Sequence, residues 1–167
     1  MSTQPSSVRL YDDLRPYVVD LAPSDKGTWF RKLEHRAILE AEARLGYTFP
    51  REVRAFYEEI GFGVLRRGVN EPKDDQWRSV ANRILHPMTV AALVQGEAEI
   101  NPDPPLRTNE WPVFEAREHD YFVVDPFSGE PNTVYTRYQI DRVAGGFREM
   151  ILRLLNDDVT FYLRRRW

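Results

Sequence analysis

A chain of 167 residues has volume for one hydrophobic core and is short for two ordinary domains. Its 42% hydrophobic and 13% aromatic content is that of a globular rather than a disordered chain, and a net charge of −3 argues against a general nucleic-acid binder, which would carry a basic domain. The absence of cysteine removes disulfides, thiol catalysis and thiolate zinc sites.

Residues 1–7 are polar and read as a loose terminus without the apolar stretch of a signal peptide. Leu10, Tyr11, Leu14, Tyr17, Val18 and Leu21 suggest a helical stripe interrupted at Pro16, a lid over one face of the core. A turn cluster follows at residues 23–27. Trp29, Phe30 and Leu33 belong either to the next helix or to a separate turn.

From Ile38 to Leu65 the pattern is clearest. Ile38, Ala41, Glu42 and Leu45 lie at helical spacing, and Gly46 marks a stop. Pro50 suits a first helical turn, and Phe49 before it is pushed out of the α region. Val53, Phe56, Tyr57 and Ile60 form the apolar stripe of a second helix. Gly61 stops it, and Gly63 permits a sharp turn into a short strand at residues 64–67.

Residues 68–77 are polar and turn-rich, an expected loop; a strand is expected from Trp77 to Leu85 and a short helix from Met88 to Gly96. Four prolines between residues 98 and 112 exclude regular structure over most of that span. Trp111 to Val124 is the strongest strand region, and Thr133 to Tyr138 returns after a turn at PFSGEPN. Phe147, Met150, Ile151, Leu154 and Leu155 make a closing amphipathic helix after Gly145-Gly146, and the tail after Asp158 alternates like an edge strand. The class is α+β, with helices packed around one mixed or antiparallel sheet.

Catalytic patterns are scarce. His35, His86 and His119 are far apart in sequence, the serines lack a nucleophile-elbow context, and there is no phosphate-binding loop. His119 with Asp120 and Asp125 is the one set offered as a metal site, against the plainer reading of a surface hairpin histidine. Gly145-Gly146 could present a helix N-terminus to an anion, although a hinge and cap explains it as well. The Arg164-Arg165-Arg166 run beside Tyr162 and Trp167 has the look of a phosphate-binding tail, or of a solubilising one. Glu58 and Glu59 oppose the dipole at the end of the second helix. Arg54 can pair with Glu58 and offset part of that cost, and a basic partner is the sharper use for the two acids.

Residues 38–65 resemble the SUKH superfamily, the Smi/Knr-type domain. The likeness rests on Glu42 in the first helix, Leu45-Gly46, Pro50, Phe56-Tyr57 and Gly61-Phe62-Gly63. The stretches YFVVDPFSGE, NTVYTRY and FREMILRLL follow in the family's order, so the resemblance spans residues 35–156, with Phe49 a departure from the usual aliphatic. It implies a single compact α+β domain at 35–156, an N-terminal extension (1–34) packed on it, and a C-terminal tail (157–167). It further implies a non-enzymatic immunity protein that binds one cognate secreted toxin, one-to-one, in the cytoplasm. No cofactor, metal, nucleic acid or membrane partner is expected. A regulatory interaction module for an endogenous partner is the alternative. Candidate partner-binding residues are Glu58 and Glu59, with Glu71, Asp74, Asp75 and Trp77 in one polar segment and Asp103, Glu110 and Trp111 in another. Each tryptophan is either tucked into the core or kept for a partner.

Overall fold

The computed structural model describes residues 9–21, 27–65, 80–117, 119–137 and 140–156. The expected loop at 68–77 and the tail strand after residue 157 lie outside these residues.

Among the described residues seven strands form one sheet in strict chain order: β1 (Trp29–Arg31), β2 (Phe62–Val64), β3 (Val80–Ile84), β4 (Trp111–Arg117), β5 (Asp120–Val124), β6 (Val134–Thr136) and β7 (Arg142–Ala144). Every neighbouring pair is antiparallel, so of the two sheet types expected the antiparallel one is found. Four α-helices among the described residues accompany it: α1 (His35–Leu45), α2 (Arg51–Glu59), α3 (Pro87–Gln95) and α4 (Phe147–Leu155). The class is α+β. The central strand β4 is buried from Trp111 through Ala116, which means that both of its faces are covered.

Two expectations for the N-terminal third need correction. The stripe from Leu10 to Leu21 is not an α-helix but contains a 3₁₀ segment, Asp12–Tyr17, with Pro16 inside it. The aromatic pair Trp29-Phe30 belongs to neither helix nor turn: it lies in β1, paired Phe30 to Gly63. A boundary at residue 34 therefore cuts through the sheet. Val18 bridges Phe30 in parallel, and the Val19 N–H donates to Phe30 O at 2.8 Å. At the opposite edge, Arg153 Nη1 donates to Val143 O at 3.4 Å.

The core is organised by α2. Phe56 is fully buried and stands edge-on to Tyr11 (5.1 Å), Phe30 (5.5 Å) and Phe147 (5.6 Å). Tyr57, on the same stripe, donates its hydroxyl to Leu85 O at 2.9 Å, and burial pushes its phenol well above the ordinary value. Buried Glu42 accepts the Phe49 N–H and Arg54 Nε, each at 3.0 Å, tying α1 to the start of α2.

The Gly61-Phe62-Gly63 exit is not a sharp turn into a later strand; Phe62 and Gly63 are themselves in β2. A Cβ on Gly63 would meet Trp29 O at 2.2 Å, and one on Gly61 would meet Arg31 O at 1.8 Å. These glycines let β1 lie flush on β2. Gly46 differs: its φ of +71° is left-handed, but nothing lies within 4 Å of a Cβ. Gly63→Ala is accordingly expected to cost about 3 kcal/mol or more, whereas Gly46→Ala should cost about 1–2 kcal/mol, both read from urea unfolding.

His86 caps α3 with Nδ1, which accepts the Met88 N–H at 3.2 Å, and its ring meets Phe62 edge-on at 4.9 Å. Half-burial lowers its pKa below the usual 6.5. Because the unfolded chain takes up the proton first, this group's share of stability is present above pH 6.5 and is lost as the pH falls below it. His86→Asn keeps a capping acceptor without the titration, so its stability should lose this step in urea unfolding as the pH is lowered from 6.5.

Candidate protein-interaction surface

Three loops meet at one end of the sheet. Gly46 ends α1 in the left-handed conformation. Arg44, in the last turn, pairs with Glu97 and donates to Gln95 Oε1 at 2.8 Å, and Gln95 Nε2 returns a bond to Arg44 O at 2.8 Å. The C-terminal ends of α1 and α3 are thus laced side by side. Asp125 organises the β5–β6 turn: Oδ1 accepts the Phe127 N–H at 3.0 Å, and its carbonyl accepts the Ser128 hydroxyl at 3.0 Å. Its Oδ2 accepts Asn109 Nδ2 at 2.7 Å, joining that turn to the loop between α3 and β4. Asn132 Oδ1 accepts the Glu52 N–H at 2.9 Å, which ties the same turn to the start of α2.

A chain of rings runs through this junction from core to surface. Tyr57 meets Phe49 at 5.1 Å, Phe49 meets Trp111 at 5.4 Å, and Trp111 meets Phe127 at 6.1 Å. Phe127 then contacts Tyr47 at 5.0 Å. The inner three are buried, but Phe127 is 57% exposed and Tyr47 50% exposed. Two large rings in contact, both half in water and backed by a buried tryptophan, form an apolar patch that needs an explanation.

The acidic candidates divide. Glu110 and Trp111 are withdrawn as interface residues: they are 0% and 1% exposed. Glu110 Oε2 accepts the Arg107 N–H at 2.9 Å, and Trp111 is the bridge in the ring chain. Glu59 is a structural clamp, because its two oxygens accept the backbone N–H groups of Leu10 (3.1 Å) and Tyr11 (2.9 Å). Glu58 is exposed and pairs with Arg54 at 2.5 Å, with His35 Nδ1 4.0 Å away. Asp103 is exposed in the α3–β4 loop. Glu71, Asp74, Asp75 and Trp77 lie outside the described residues.

The metal and anion candidates also resolve. His119 and Asp125 stand at opposite ends of β5, roughly 20 Å apart for six extended residues, so they do not share a metal. Among the described residues no cluster of three or more histidine or carboxylate groups is placed to hold one. His119 instead turns the β4–β5 hairpin with φ +61°, its N–H donating to Glu115 Oε1 at 3.0 Å. A groove of about 660 Å³ does open beside Gly145-Gly146. Its helix N-terminus already has an anion: Glu52 Oε2 accepts the Arg148 N–H at 2.8 Å, and Glu149 accepts the Gly145 N–H at 2.7 Å.

Tyr47 and Phe127 were not singled out from the sequence. A signal did exist: each is a large ring in a turn context, Tyr47 directly after the helix stop Gly46 and Phe127 inside PFSGEP. Turn residues lie at the surface, so a ring there is conspicuous.

The chain matches no protein-family model, and no curated protein matches it.

The burial difference has a measurable consequence. Trp111→Ala should cost about 3–5 kcal/mol in urea unfolding. Tyr47→Ala and Phe127→Ala should each stay within about 1 kcal/mol of the parent chain, because both rings are half-solvated already.

Proposed function

We propose that this chain is an immunity protein that binds a cognate secreted toxin one-to-one and blocks its active site or the path of its substrate. The carrying observation is the exposed Tyr47–Phe127 pair, seated on buried Trp111 and Phe49. Hot spots of tight protein complexes are of this kind: rings held rigid by the layer beneath, so that little side-chain entropy is lost on binding. The loops around them are pinned by Asp125, Asn132 and Arg44, which makes the patch a preorganised platform. The toxin as partner class is supported by the resemblance of residues 38–65 to the SUKH superfamily. In this reading the protein acts in the cytoplasm, without cofactor, as an inhibitor rather than an enzyme. No helix among the described residues is long and apolar enough to cross a membrane.

Co-expression with the product of the adjacent reading frame tests the proposal. The expected result is restored growth and a stable 1:1 complex, with Tyr47→Ala/Phe127→Ala weakening that complex by about 2 kcal/mol or more, some 30-fold. Neither rescue nor complex would overturn the toxin reading. A pull-down returning a housekeeping protein instead would favour the regulatory alternative.

A further inference from the structure

The geometry points to a cationic side chain, an arginine presented by the protein partner, as the group that docks on Tyr47 and Phe127. This rests on the reading of that patch as the partner-binding surface and adds the chemistry it selects. Two independent features converge there. The two rings are 5.0 Å apart, tilted 49° to one another and each at least half exposed, so a guanidinium from solution can reach them and be held by the ring quadrupole. Tyr47 also follows the C-cap Gly46 directly, at the negative end of the α1 dipole, where a cation is favoured.

The protein's own cation at that helix end does not fill this role. Arg44 is engaged with Gln95 and Glu97, across the α1–α3 junction. The α3–β4 loop and the β5–β6 turn, joined by the Asn109–Asp125 bond, carry exposed acids. Glu99, Asp103 and Glu130 are exposed and make no ion pair among the described residues, set against the exposed cations Arg51 and Arg107. The chain's net charge of −3 acts in the same direction at long range, speeding encounter with a basic face. Arginine fits better than lysine because its flat, weakly hydrated fork stacks on a ring while its N–H groups still reach carboxylates or helix-end carbonyls.

The test uses the full chain and two small probes. N-acetyl-arginine amide and its neutral isostere N-acetyl-citrulline amide are titrated while the ring signals of Tyr47 and Phe127 and the Gly46 amide are followed by NMR. The arginine probe should shift these signals saturably and the citrulline probe should not. Tyr47→Ala or Phe127→Ala, with the fold checked by the unperturbed core resonances, should weaken the response about two- to five-fold each. Equal responses to both probes, or none at these positions, would overturn the proposal. So would concentration-dependent dimerisation abolished by Tyr47→Ala, which would assign the patch to a second copy of the chain. A selective arginine response without any complex with the adjacent gene product would uphold the docking chemistry while removing the toxin reading, so the two fail separately.

Discussion

The ring of Phe56 is the contact on which the rest of the fold depends. It sits at the middle of α2 and is touched edge-on by Tyr11 from the 3₁₀ segment, Phe30 from β1 and Phe147 from α4. Among the described elements those three are the first, second and last in chain order, so a single side chain gathers distant parts of the chain around one helix. A meander needs such a closure. Each of its strands is satisfied by its sequence neighbours, and nothing in the hydrogen-bond ladder itself brings the first strand's surroundings to the last helix.

Polar groups on α2 carry the same closure outward. Glu59 receives the N–H groups of Leu10 and Tyr11, and Glu52 receives that of Arg148, whose Nε in turn donates to Leu10 O at 2.7 Å. Arg54 reaches Glu42 on the preceding helix. Carboxylates placed against orphan backbone donors at element starts are more valuable than the same groups paired at the surface, where an ion pair contributes little. The stripe of α2 facing the core and the charged residues flanking it therefore serve one purpose, which is to hold the 3₁₀ segment and α4 together.

The sequence was most informative where a period had room to repeat. The stripe Val53, Phe56, Tyr57, Ile60 located α2, and Phe147, Met150, Ile151, Leu154 located α4, because each covers at least two turns. The run Tyr121–Val124 announced β5 in the same way. Strands β1 and β7 are three residues long, too short for any alternation to show, and their strand character comes from the partners they pair with. The site was less legible still. Trp111 read equally as core or interface, and only the position of Phe49 and Phe127 on either side decides it. Glu59 and Glu110 read as surface acids because their partners are backbone N–H groups, which sequence composition does not reveal.

The covered rims of the sheet bear on how this protein meets others. Phe30 O, on the outer side of β1, already accepts the Val19 N–H, and Val143 O on β7 already accepts Arg153. A foreign strand seeking to extend the sheet would have to displace these bonds, which discourages both edge-to-edge polymerisation and recognition through main-chain pairing. Recognition then falls to side chains on loops. Such a surface can change its specificity by substituting a few exposed residues, leaving the ladder that holds the sheet untouched.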